Sequence, residues 1–173
     1  MERLQAIFSK VGALALGSVA IASSIGLSSD RSAAQAAYGS YVGVGGSVGL
    51  TEVDNDERYN AVVVAARYKL LPVPLSLRAQ GFFSGDGSAV VPTISYDFPL
   101  TWQADVYLGA GAALASGDTP VGDKVSFAIQ PGVDYSVPNT RFVLFGNAVI
   151  AFDAYEDESD TAISLQGGVG LRF

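Results

Sequence analysis

The chain has 173 residues, 49% of them hydrophobic, a formal net charge of −7, and neither cysteine nor histidine. The acid excess argues against nucleic acid as a partner, because nucleic-acid binders need basic patches. The missing cysteine excludes a disulfide framework and a cysteine-linked lipid anchor, and the missing histidine removes the commonest general base.

The first 36 residues have the order of a secretory signal peptide. Arg3 and Lys10 supply a basic start, "VGALALGSVAIASSIGL" an apolar stretch, and Ala34-Gln35-Ala36 a small-residue cleavage site. An uncleaved membrane anchor is the alternative, but the apolar run is shorter than the ~20 residues a span needs. Cleavage after Ala36 leaves one domain over 37–173. Loss of Arg3, Lys10 and Arg31 with Glu2 and Asp30 leaves 15 acidic and 7 basic residues, a net −8.

"YVGVGGSVGL" (41–50) poses a choice between a phosphate loop and a strand. Gly43 and Gly45 begin a dinucleotide-type spacing, but Val48 takes its third position and no Lys-Ser or Lys-Thr follows. The stricter pattern is alternation. Val42, Val44, Val48 and Leu50 share one parity, and Tyr41, Gly43, Gly45, Ser47 and Gly49 the other.

The same two-residue period recurs in eight segments, at about 40–51, 59–70, 75–83, 88–98, 101–114, 124–136, 141–152 and 161–173. Val62, Val64, Ala66 and Tyr68 oppose Arg67 and Lys69; Leu75, Leu77, Ala79 and Phe83 oppose Arg78 and Gln80. Val90, Ile94, Tyr96 and Phe98 oppose Thr93, Ser95 and Asp97; Trp102, Val106, Leu108 and Leu114 oppose Gln103, Asp105 and Tyr107. The last three segments set Phe127, Leu144 and Leu165 with their kind against Lys124, Asp134, Arg141, Asn147 and Arg172. Every strand charge therefore falls on the polar side. Pro92 and Pro131 each remove a ladder donor, and bulges are expected there.

The breaks alternate in kind. "LPVPL", "DFPLT" and "SVPNT" are short proline turns, whereas "EVDNDER", "SGDG", "ASGDTPVGD" and "DAYEDESD" are acidic and mostly longer. Short turns at one end and longer loops at the other are the layout of a membrane meander. Trp102, Tyr68, Tyr96, Phe98, Tyr135 and Phe142 gather near the proline-turn end, as a headgroup-level girdle would. A soluble, lipocalin-like barrel with an apolar interior and an apolar ligand is the alternative, but it would tolerate charges on its outer face.

"QGGVGLRF" at 166–173 carries a family resemblance. Gln166, Gly168, Leu171 and the aromatic Phe173, with apolar residues at alternate positions, look like the C-terminal signal read by the bacterial outer-membrane assembly machinery. With its leader and eight strands, the chain resembles the small OmpA/OmpX-like outer-membrane barrels over nearly the full mature length. The resemblance implies an eight-stranded antiparallel up-and-down transmembrane β-barrel in the bacterial outer membrane, with lipid and the assembly machinery as partners. Some barrels of this size resemble enzymes that depend on histidine, so this chain is expected to be no enzyme and to need no cofactor.

Two features remain for function. Arg67, Lys69, Arg78, Lys124, Arg141 and Arg172 against Asp97, Asp105 and Asp134 give an expected lumen of net +3. These charges either line a narrow diffusion pore or pair within a mostly closed interior. The inward glycines Gly43, Gly45, Gly109, Gly111, Gly168 and Gly170 leave room for a thin water file. The acidic loops (Glu52, Asp54, Asp56, Glu57, Asp86, Asp118, Asp123, Asp153, Glu156, Asp157, Glu158, Asp160) are expected to be solvated and repulsive. Divalent cations or an external ligand at these loops are the functional version, although no EF-hand pattern is present. The expected role is structural or surface-interacting.

Overall fold

The computed structural model describes residues 39–51, 59–71, 73–155 and 160–173. The expected leader with Ala34-Gln35-Ala36 lies outside the described residues, as do Glu52, Asp54, Asp56, Glu57, Glu156, Asp157 and Glu158.

Eight strands follow one another: β1 Tyr41–Gly49, β2 Asn60–Leu70, β3 Leu75–Phe83, β4 Gly87–Pro99, β5 Ala104–Gly117, β6 Val125–Ser136, β7 Phe142–Phe152 and β8 Ala162–Arg172. Each pairs antiparallel with its chain neighbours, and β8 closes on β1. The wall has no free edge, so every ladder is shared between two strands. The strands are 9 to 14 residues long, which suits the ~9–11 tilted residues that cross a bilayer.

Closure is staggered. Paired residues lead round the wall from Tyr41 through Arg67, Arg78, Thr93, Gly111, Ala128 and Ala151 to Ala162. The register that sets Ser164 opposite Gly49 then returns the path to position 51, ten residues beyond 41. Such a stagger accompanies strand tilts of roughly 35–45°. It also decides which inward residues share a height, because hydrogen-bonded partners climb as they circle.

Two expectations change. The fifth strand starts at Ala104, not 101, because the Thr101 hydroxyl accepts from the Gln103 and Ala104 amides at 3.2 and 3.0 Å. That local bond curls 101–103 into a turn and places Trp102 off the strand, 99% exposed. Nor do the strand prolines make bulges. On β4–β5, Val90 pairs Leu114 and Thr93 pairs Gly111, the same register on both sides of Pro92. On β6–β7, Ile129 pairs Ile150 and Gly132 pairs Asn147, the same register across Pro131. Each proline interrupts bridges toward one neighbour only, and the paired residues on both sides hold the strand in step.

The third proline turn uses a left-handed residue. Asn139 has φ 58°, a conformation its short polar side chain tolerates, and Val137 O accepts from the Thr140 amide at 3.3 Å.

Candidate functional site

With large apolar side chains outside and polar ones inside, the lumen is the candidate site. Its inward residues form three storeys.

The storey nearest the proline turns is ionic. Arg67 on β2 sends Nη1 to Asp134 Oδ2 on β6 and Nη2 to Asp97 Oδ2 and Asp105 Oδ2, each at 3.0 Å. Arg78 Nη2 reaches Asp134 Oδ2 at 2.8 Å and Asp97 Oδ1 at 3.2 Å, while Lys69 Nζ meets Asp97 Oδ2 at 2.7 Å. Hydroxyls complete the shell: Ser76 and Ser95 donate to Asp97, and Tyr41 donates to Asp134 Oδ1 at 2.9 Å. The Arg78 guanidinium also lies 3.3 Å from the Tyr107 ring centroid, a cation–π contact. Arginine suits this place because its planar fork can serve several carboxylates at once.

The middle storey is made of amides. After correction for the stagger, Gln80, Thr93, Gln130, Asn147 and Gln166 come to one height. Thr93 donates to Gln130 Oε1 at 2.7 Å, and Gln130 Nε2 donates to Asn147 Oδ1 at 3.2 Å. Gln166 Nε2 donates to Ser164 Oγ at 2.6 Å and Ser47 Oγ at 3.3 Å.

The storey nearest the loops is apolar. Val63, Phe82, Val91, Ala113, Ala128 and Val149 are fully buried together. The β5–β6 connection folds into this mouth: Val121 joins the cluster, and Thr119 Oγ1 donates to Gly122 O at 2.5 Å. The Asp123 amide donates to Ala154 O at 3.0 Å, tying this connection to the one after β7. Gly122 has φ 105° and its Cα lies against Ala154, where a side chain would collide. Beside the cluster, burial pushes the Tyr155 hydroxyl above its ordinary pKa, with Asp123 acting in the same direction.

The inward glycines seat rings. A Cβ on Gly43 or Gly168 would strike Phe145, one on Gly170 would strike Tyr41, and one on Gly132 would strike Tyr107. Tyr41 and Phe145 stack at 5.9 Å. The room expected for a water file past Gly43, Gly168 and Gly170 is therefore occupied by aromatic side chains.

Of the nine expected lumen charges, six form the ionic storey: Arg67, Lys69, Arg78, Asp97, Asp105 and Asp134. The other three stand elsewhere. Lys124 pairs with Asp153 at 3.0 Å at the loop end. Arg141 is exposed in the turn before β7. Arg172 lies at the turn rim, where its Nη2 donates to Thr140 O at 2.5 Å. The ionic storey thus balances three cations against three anions, not the net +3 expected, because residues at strand ends leave the lumen. Among the C-terminal signal positions, Gln166 and Gly168 face inward, and Leu171 and Phe173 face outward.

Sequence reasoning missed the apolar storey. Its signal was present where both parities are apolar near the loop ends, as in Val62-Val63-Val64, Phe82-Phe83 and Val90-Val91.

The outer face carries Val44, Val62, Ile94, Leu108, Val133 and Leu165, all exposed, and no charged residue of any strand points that way. Tyr96 and Phe98 lie 4.6 Å apart near the turns. Phe127 and Phe152, stacked at 6.1 Å, with Phe83 give aromatic residues at the loop end as well.

No protein-family model matches the chain, and no curated protein does. Solved structures do. Neisserial surface protein A superposes with a TM-score of 0.56 at 18% identity, over 78% of this chain and 97% of that one. A de novo designed transmembrane β-barrel gives 0.53 at 14% identity, over 78% and 96%. The Yersinia pestis outer membrane protein Ail, in a phospholipid bilayer nanodisc, gives 0.50 at 14% identity, over 78% and 99%.

The chain has the fold of the small outer-membrane barrels. In an outer-membrane barrel the outward apolar band faces lipid tails, so an unpaired charge there is costly. The lipocalin-like alternative required the large apolar set to line the interior, and the structure turns that set outward.

Proposed function

We propose that this protein resides in the bacterial outer membrane as a barrel with a closed lumen, serving a structural or surface-interaction role through its acidic loop end. The observation that carries the reading is the pairing of a charge-free outer face with a filled, charge-balanced interior. The outer face supports lipid as the partner. The interior supports an anchor over a pore, since a conducting path would need water through both the ionic and the apolar storeys. Gln166, Gly168, Leu171 and Phe173 would be presented to the assembly machinery. The exposed loop acids Asp86, Asp118 and Asp160 would repel like surfaces or gather divalent cations among headgroups. The reading assigns no catalysis: the chain has no histidine to act as general base, and among the described residues the lumen carboxylates Asp97, Asp105 and Asp134 are paired with Arg67, Lys69 and Arg78.

The test is electrophoretic mobility of the membrane fraction in SDS, unboiled against boiled, followed by conductance in a planar bilayer. A heat-dependent shift with no conductance supports the reading. An unshifted, soluble protein overturns the membrane assignment, and steady conductance of the folded barrel overturns the closed lumen.

A further inference from the structure

The amide storey has more hydrogen-bonding capacity than its own side chains use. Gln80 Oε1, Asn147 Nδ2 and Gln166 Oε1 are buried without partners, on residues only 3%, 7% and 5% exposed. The other such atoms, Ser126 Oγ and Arg172 Nε, lie toward the two ends of the barrel. A buried polar atom left unsatisfied costs about 1–3 kcal/mol, so three at one height call for a common partner.

Their chemistry narrows what that partner is. Two carbonyl acceptors and one N–H donor are the complement of a water molecule, which donates two hydrogen bonds and accepts one or two. A bare cation would suit the two carbonyls but would face the Asn147 donor. The storey is also closed at both ends. Toward the turns stand Arg67 and Arg78 with their carboxylates, and toward the loops stand Phe82, Val91 and Val121.

We infer that the middle of the lumen holds trapped water, bound by Gln80, Asn147 and Gln166 and sealed between the ionic and apolar storeys. The barrel is then two barriers in series around a small wet chamber. Water there bridges β3, β7 and β8, which the direct Thr93–Gln130–Asn147 chain does not do.

Solution NMR of the labelled, refolded barrel in nanodiscs tests this. The Asn147 side-chain amide is the reporter, since its carbonyl accepts from Gln130 Nε2 and its Nδ2 is left to meet the water. Dipolar cross-peaks between the Asn147 NH₂ protons and water, weakened in Gln80→Met, are the expected result. No such cross-peak in a barrel that shows its heat-dependent shift would overturn the proposal. So would a higher urea midpoint for Gln80→Met than for the parent, because a dry layer gains stability when an orphan carbonyl is replaced at similar volume.

Discussion

Arg67 on β2 and Asp134 on β6 meet across the lumen at 3.0 Å, with side chains each 3% exposed. Three strands lie between β2 and β6 whichever way one goes round the closed wall, so the bond is a strut across the barrel's diameter. Removing Arg67 leaves Asp134 with Arg78 but sets three carboxylates against two cations, and an uncompensated buried charge typically costs about 3–5 kcal/mol. Arg67→Ala is therefore expected to lower the urea concentration at which the unboiled band shifts to the unfolded position. Replacing both ends with serine removes the strut without stranding a charge and should cost less than the two single changes added. Additive costs would mean that the two residues are not coupled.

The two barriers predict an unusual conductance pattern. Arg67→Ser with Asp134→Ser loosens the ionic storey, and Phe82→Ala with Val91→Ala loosens the apolar one. Neither pair is expected to conduct in a planar bilayer, and all four changes together are. Conductance from the ionic pair alone would show that the apolar storey is no barrier.

Gly45 and Gly46 are adjacent but not equivalent. A Cβ on Gly45 would run into the backbone of Gly167 and Gly168, while one on Gly46 has only Ala61 O at 4.0 Å. Overpacking of this kind usually costs about 1–3 kcal/mol, and changes with open space fall within roughly ±0.5 kcal/mol. Gly45→Ala should weaken or abolish the folded band, and Gly46→Ala should leave its urea midpoint unchanged. Equal effects would place the tight β1–β8 contact elsewhere.

Val44 points outward, 63% exposed, and pairs with Val169 near mid-strand. Val44→Lys is expected to cost about 2–4 kcal/mol in a bilayer, the usual penalty for a mid-depth charge on a lipid-facing position. In a water-exposed wall it would be close to neutral. Urea titration of the variant refolded into vesicles separates the two, and a neutral result removes lipid from that face.

How much of this was legible from the residues depends on the range of the cause. Alternation is local, so Val42, Val44 and Val48 against Gly43, Gly45 and Ser47 already placed a strand and its faces. The charges Arg67, Arg78, Asp97 and Asp134 fell on the inner parity for the same reason: a side chain's face follows from its position along an extended chain. Strand ends were less legible. Thr101 competes for the backbone through its hydroxyl, and that shifted Trp102, which the alternation had put on a strand.

What the chain could not declare alone is height within the lumen. Parity says that Arg67, Gln80 and Val91 all point inward, but only the ten-residue stagger of closure puts them on three different storeys. That stagger is a property of the closed ring and of no single pair of strands. It decided that two arginines and one lysine meet three aspartates, that Lys124, Arg141 and Arg172 stand apart, and that Val121 from a connecting loop completes the apolar mouth. The period-2 pattern belongs to the sequence; the layering arises only when β8 pairs with β1.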